Sequence, residues 1–219
     1  MKMMRIAIDG PAGSGKGTVA GILAEKLDLV NIDTGATYRC VALLCLRNNI
    51  DVTNEEEIIK LSDNIKIEET KDKKVILNGE DVTDVIRSKE VTEIVSPISS
   101  IVKLRENMVK IQRELASTND CVMEGRDITT VVLPDAEYKI YLDASLEERA
   151  KRRFKENQEK GIESTYEEVY ENIKSRDEND MNKPVGALKR TNEQFYVDTT
   201  NKTIEEVVEI ILNFINSKE

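Results

Sequence analysis

The chain has 219 residues, 39% of them hydrophobic, enough for one sizeable domain carrying a small insert. Its formal charge is −10 and it contains no histidine. The charge excludes a general surface for nucleic acid or anionic membrane, so any anion site has to be local; the missing histidine removes the commonest general base and any Cys/His zinc site.

No apolar run approaches bilayer length, and Met1-Lys2-Met3-Met4 leads straight into the first strand, so a cytoplasmic protein is expected. Cys40, Cys45 and Cys121 lack metal-ligand spacing and are expected to be buried and reduced.

Ile6-Ala7-Ile8 reads as a strand, and Asp9-Gly10-Pro11-Ala12-Gly13-Ser14-Gly15-Lys16-Gly17-Thr18 follows it into a helical pattern from Val19 to Leu27. Strand, Gly-rich loop and helix in that order make an anion site. The glycines let backbone N–H groups turn inward, and the helix adds the positive end of its dipole. Lys16 is then placed to reach the β and γ phosphates of a nucleotide. The pattern G-x-x-x-x-G-K-[ST] is met with one departure: Gly17 stands where a hydroxyl residue is expected, so any help in ligating Mg²⁺ falls to Thr18.

Leu29 to Ile32 reads as a second strand, with a turn from Asp33 through Thr34 to Arg39 at its carboxyl end, where ligands of open α/β sheets collect. Asp33, Thr34 and Arg39 are candidate contacts for a second substrate, although Thr34 reads equally as an N-cap. Val41, Leu44 and Cys45 mark a helix to about Asn48, and Thr53 with Glu56 reads as a capping box for the next. Ile65 to Glu68 and Val75 to Leu77 flank a charged turn, and Asn78-Gly79 adds another, which predicts an antiparallel insert from Asn64 to about Val95.

Ile101, Leu104, Met108, Ile111 and Leu115 predict an amphipathic helix from about Ser99 to Ser117. Arg105, beside that stripe, reads either as a snorkelling side chain or as a guanidinium aimed into a cleft. Cys121 to Met123 is a buried strand whose carboxyl end releases Glu124-Gly125-Arg126-Asp127, with Gly125 expected at an unusual backbone angle. Arg126 and Asp127 are thereby presented beside the phosphate loop.

Tyr138 to Leu142 is the next strand, and Ser145 caps a helix bearing Arg149, Arg152 and Arg153 near one face. They read either as a solvated charge face or as a lid that lays arginines across a triphosphate, with its tip at Glu156 to Ser164. Thr165 and Glu168 cap another helix on which Val169, Ile173, Arg176 and Asp180 share a face, so an apolar stripe runs into a charged pair. Lys183 follows, before Pro184. Phe195 to Val197 is the last strand, and Thr203 with Glu206 opens a terminal helix whose apolar side includes Val207, Val208, Ile211 and Ile215.

Five strands separated by helices predict a five-stranded parallel α/β sheet with helices on both faces. The phosphate loop, Asp33 to Arg39, Gly125 to Asp135 and Arg176-Asp177 before Asp180 together resemble the bacterial cytidylate kinases of the nucleoside monophosphate kinase family, over essentially the whole chain. The resemblance implies a P-loop core over residues 1–63 and 96–219, a helical lid at about 150–185 and a monophosphate-binding insert at 64–95. It implies transfer of the γ-phosphoryl group of ATP to CMP or dCMP with Mg²⁺. A monomer is expected because no exposed apolar stripe is left over, and the acidic charge argues against nucleic-acid or membrane partners. Gly10, Pro11, Ala12, Gly13, Ser14, Gly15, Lys16, Gly17 and Thr18, with Arg149 and Arg153, are implied to hold ATP. Lys16, Arg126 and Arg176 are implied to be catalytic. Thr34, Arg39, Arg126 and Arg176 would serve the acceptor phosphate, Ser96, Arg105 and Asp127 the cytosine, and Asp180 with Lys183 the ribose. Two departures from the family's pattern stand out: Thr129 where Gly is common and Lys183 where Arg is familiar.

The chemistry agrees with a chain without histidine, because an acceptor phosphate oxygen is already anionic and needs no base. What has to be overcome is repulsion between two anions, which clustered cations do. A kinase for another nucleotide or for a small hydroxylated metabolite is the nearest alternative. A guanine-nucleotide switch is disfavoured because Asn182-Lys183-Pro184-Val185 ends in Val rather than Asp.

Overall fold

The computed structural model describes residues 3–218. The first half of the chain forms β1 (Arg5–Asp9), α1 (Lys16–Leu27), β2 (Val30–Asp33), α2 (Thr34–Arg47), α3 (Glu55–Ser62), β3 (Ile67–Glu69), β4 (Val75–Leu77), β5 (Glu80–Asp81) and α4 (Lys89–Ile98). The second forms α5 (Val102–Ser117), β6 (Cys121–Gly125), β7 (Tyr138–Asp143), α6 (Leu146–Glu159), α7 (Tyr166–Met181), β8 (Phe195–Asp198) and α8 (Ile204–Asn216).

Five strands make one parallel sheet in the order β2-β6-β1-β7-β8, as the alternation of apolar runs and helices predicts. The two-residue period of β1 divides the core. Ile6 and Ile8 pack with α1 and α8 on one face. Ala7 points to the other, into a cluster with Ala116 of α5 and the π-helical turn Ile128–Val132. All five carboxyl ends therefore emerge along one edge, with α1 starting behind β1 and α2 behind β2.

The antiparallel sheet β3-β4-β5 lies within the segment predicted to be an insert. Polar contacts tie it to the core, among them the bidentate pair of Arg47 in α2 with Glu80 of β5 at 2.7 Å. Lys71 Nζ donates to Asp28 at the end of α1 (2.7 Å), and Glu69 Oε2 accepts the N–H of Asp33 (2.8 Å). The helices α6 and α7 pack on each other and, through Ala150, Val169 and Ile173, on Ala12 of the phosphate loop. Among the described residues no helix is long and apolar enough to cross a membrane.

Several local expectations need correction. The segment from Asp33 to Arg39 is no turn: α2 begins at Thr34 and Asp33 caps it, accepting from Ala36 N–H at 3.2 Å. α3 is capped by Asn54 rather than by Thr53 and Glu56, because Thr53 is held by Asp51. Residue 95, drawn as the end of the insert, falls inside α4, which the reading missed, and α5 starts at Val102 rather than Ser99. Gly125 has no unusual φ; a side chain there would collide with Thr34 Oγ1 and Ile128, so close approach is its reason. The capping boxes at Thr165/Glu168 and Thr203/Glu206 form as expected.

Candidate active site

The phosphate loop turns so tightly that a Cβ at Gly10 would meet the carbonyl oxygen of Leu142, and Gly15 takes φ 87 to start α1 without any side-chain cap. The N–H groups of the first helical turn are thus left to an external anion. Ala12 is pinned from below: its N–H donates to Asp177 Oδ1 (3.2 Å) and its carbonyl accepts from Arg149 Nη1 (2.9 Å). Ser14 is buried with its hydroxyl unpaired, and Thr18 is exposed.

Lys16 folds over the loop, donating Nζ to Pro11 O at 3.1 Å, with a Glu124 carboxylate oxygen 4.0 Å away. Burial and the neighbouring Arg126 and Arg176 push its pKa down to about 8. Burial and the nearby Asp33 push Glu124 up to about 7, against the pull of Lys16. A Cβ at Gly17 would sit 3.3 Å from Glu124 Oε1, so a larger residue there would press on the Glu124 side chain.

Beyond Lys16 opens a cavity of about 480 Å³ at the carboxyl ends of β2 and β6. Nine Lys or Arg and five Asp or Glu line it, an excess of positive charge in a molecule whose net charge is −10. Of the predicted acceptor residues, Thr34, Arg39, Ser96, Arg105, Arg126, Asp127, Arg176, Asp180 and Lys183 all line it, and so does Arg153. Their positions follow from the fold: Thr34 and Arg39 are carried by α2, Ser96 by α4, Arg105 by α5, and Arg176 and Asp180 by α7. Arg126 and Asp127 leave the end of β6.

Three pairings organise the wall. Asp180 accepts Arg126 Nε at 2.7 Å on one oxygen and Lys183 Nζ at 2.9 Å on the other. Burial alone would raise the Asp180 pKa, but the two cations override it and hold the group down to about 2. Arg105 Nη2 meets Asp127 Oδ2 at 2.5 Å in a buried pair, with the ring of Tyr38 5.4 Å from the guanidinium. The reading of Arg105 as a snorkelling side chain is thereby ruled out, and its Nε is buried without a partner. Among the described residues Arg176 has no such carboxylate in hydrogen-bond reach; burial and Arg126 bring its pKa down to about 10. A cation held this way is short of an anion.

The arginines of α6 lie on one face, at i, i+3 and i+4, but their guanidiniums go to different partners. Arg149 is buried and donates Nε to Ala144 O and Nη1 to Ala12 O and Asp177, contacts that brace the phosphate loop. Arg152 holds Glu148 and Thr199. Only Arg153 reaches the cavity among the three. The sequence reading also passed over Glu124 and Arg87. An acidic residue ending the strand beside β1 was the available signal for the first.

Asp9, at the mouth of the loop, is fully buried and accepts from Ile128 N–H (2.7 Å), Thr129 N–H (3.0 Å) and Thr129 Oγ1 (2.6 Å). Burial raises its pKa despite these bonds. The three cysteines are buried and free, and burial lifts Cys40 to about 12 and Cys121 to about 11, which makes them unreactive.

Comparison with known proteins converges on one family. Residues 6–217 match the family described as cytidylate kinase. The cytidylate kinase of Enterococcus faecalis is 48% identical, covering 100% of this chain and 98% of the relative. That of Lactobacillus johnsonii is 46% identical over 99% of this chain and 96% of the relative. Among solved structures, shikimate kinase from Bacteroides thetaiotaomicron superposes with a TM-score of 0.50 at 15% identity, covering 98% of this chain and 99% of that one, a likeness of fold.

Proposed function

The chain belongs to the cytidylate kinase family, and from that premise we propose how its residues transfer the γ-phosphoryl group of ATP to CMP or dCMP. The observation that carries the proposal is the cation-lined cavity meeting the phosphate loop at Lys16 in an otherwise acidic molecule.

The loop from Gly10 to Thr18 holds the donor phosphates through backbone N–H groups, and Lys16 exchanges its bond to Pro11 O for the β and γ phosphates. Arg39, Arg126 and Arg176 surround the acceptor phosphate. No base is needed, since the attacking oxygen is already anionic; the residues hold two like-charged groups in line and neutralise the charge that develops between them. Arg153 approaches from the lid side. Arg149 acts on ATP indirectly, by holding Ala12 and hence the loop.

Asp127 and Arg105 read the base. Asp127 uses only Oδ2 for the pair, so its other carboxylate oxygen remains to accept from a base. A cytosine edge offers an amino donor, which suits that oxygen, while uracil offers a carbonyl where the amino group would be. Asp180 with Lys183 faces the ribose side.

The donor set also fits Mg²⁺. Thr18 at the end of the loop and Asp33 and Glu124 in the cavity wall are hard oxygen ligands, the type that Mg²⁺ takes. When bound, the ion supplies charge neutralisation at the β and γ phosphates. A monomer in the cytoplasm fits free cysteines and exposed apolar side chains that sit on separate elements, such as Leu46, Val102 and Met181.

A panel of nucleoside monophosphates with ATP and Mg²⁺ tests the reading. CMP and dCMP should be phosphorylated well ahead of UMP and AMP; absence of CDP formation refutes it.

A further inference from the structure

The segment from Lys183 to Gln194 lies against the wall of the acceptor cavity. Its path is fixed on both sides of Gly186. Lys183 Nζ is held by Asp180 (2.9 Å) and Ser99 Oγ (3.2 Å), the N–H of the buried Leu188 donates to Asp180 O (2.8 Å), and Gln194 Nε2 reaches Thr129 Oγ1 (2.5 Å). Between these anchors Gly186 takes φ 68 and lies directly on the Arg105–Asp127 pair. A Cβ there would run into Arg105 Nη2, Arg105 Cζ and Asp127 Oδ2 together.

Positive φ alone would account for a glycine, but Gly79 separates the two causes: it has φ 87 and nothing within 4 Å of its added Cβ. At Gly186 the obstacle is a buried charged pair. The backbone cannot retreat, because its neighbours are tied down, so a side chain there must displace the pair.

We propose that Gly186 is a positioning residue for the acceptor base: by bringing bare backbone against Arg105 and Asp127 it fixes where that pair stands in the cavity. The inference rests on the reading of Arg105 and Asp127 as the base-contacting residues.

Steady-state kinetics of Gly186→Ala test it, with Gly79→Ala as the control for strained backbone. KM for CMP should rise about 10- to 100-fold in Gly186→Ala, the loss that a misplacement of about 1 Å brings, with KM for ATP changed less than about threefold. Gly79→Ala should leave both KM values within about twofold. Because the proposed collision is with Arg105, a double-mutant cycle adds a second readout: in an Arg105→Ala background the further change Gly186→Ala should cost little in thermal midpoint. An unchanged KM for CMP in Gly186→Ala overturns the proposal, as does an equal loss of stability with and without the Arg105 side chain. If Gly186→Ala does not fold, recovery of the fold in the double variant supports the proposal and failure to recover overturns it. The base reading is tested apart, by the CMP to UMP ratio of Asp127→Asn; should that ratio stay put, the base reading fails while the cycle between positions 105 and 186 still reports on packing.

Discussion

Arg126 and Asp180 meet through Nε and Oδ2 at 2.7 Å across 54 residues of sequence. One comes from the end of β6 and the other from α7, so the pair joins the sheet edge to that helix. The contact ties the orientation of Arg126, an arginine of the cavity wall, to the position of α7 through Asp180. Its second oxygen holds Lys183, so one carboxylate orients two cations.

Asp180→Ala should therefore lower turnover of CMP by about 10²-fold, as loss of one preorganised electrostatic contact does. The folded pKa of about 2 lies below the ordinary 3.8, so the group stabilises the fold above pH 4 and that contribution is lost as pH falls through 2. Thermal unfolding of parent and variant should differ by about 2 kcal/mol at pH 7 and converge between about pH 4 and 2. A gap that stays constant with pH would contradict the ion-pair account.

Lys16→Met separates catalysis from stability. Burial and two arginines already depress the lysine to about 8, so its ammonium is held at some expense to the fold. Turnover should fall by about 10²- to 10³-fold while the thermal midpoint stays level or rises. A coupled assay for ADP release, run beside a melting curve, checks both.

Asp127→Asn keeps the size of the side chain but changes what it offers to a base, an amide N–H in place of a carboxylate oxygen. The preference for CMP over UMP, measured as a ratio of kcat/KM values, should narrow by about tenfold or more. Arg105 would lose its charged partner, so a modest drop in stability should accompany the change in selectivity.

How much of this was legible in the sequence depends on how local each contact is. The Gly-rich loop, Lys16 and the start of α1 lie within ten residues, and their pattern is a direct record of backbone geometry. Arg176 and Asp180 were legible because an apolar helical stripe ends in charge. α4 was not, since most of it fell inside the stretch assigned to an antiparallel insert, although Ser88 caps it by accepting from Val91 N–H at 3.3 Å. Glu124, Gly186 and the partner of Arg149 are defined by what another part of the chain brings to them. Spacing along one helix cannot tell an arginine that faces a ligand from one that faces a buried aspartate.

Thr129 shows the same point at a position where this chain departs from its family's pattern. Its hydroxyl donates to Asp9 Oδ2 at 2.6 Å and accepts from Gln194 Nε2 at 2.5 Å, joining the mouth of the phosphate loop to the segment before β8. Thr129→Val leaves a buried carboxylate with one donor fewer and the Gln194 amide with only its longer contact to Asp9 Oδ2 at 3.4 Å, so it should cost about 2 kcal/mol. Thr129→Ser should cost less than about 1 kcal/mol. Chemical denaturation of both variants distinguishes the hydroxyl from the methyl; equal losses would mean the network contributes nothing.

Arg149 makes contacts in the unliganded fold that its expected place at ATP does not require, and measurement separates the two roles. A guanidinium that grips triphosphate should, when changed to lysine, raise KM for ATP and leave the unliganded fold alone. The guanidinium seen here donates to Ala144 O at 3.0 Å, to Ala12 O at 2.9 Å and to Asp177 at 2.5 Å, three acceptors in different directions that a lysine ammonium on a flexible stem cannot reach together. Arg149→Lys should therefore destabilise the unliganded protein by about 3 kcal/mol, because Asp177 remains buried beside an ill-placed partner. The loss should appear in thermal unfolding without nucleotide, and saturating ATP should recover part of it by binding the loop that Ala12 belongs to. An unliganded Arg149→Lys protein as stable as the parent, with only KM for ATP raised, would return Arg149 to direct contact with the donor.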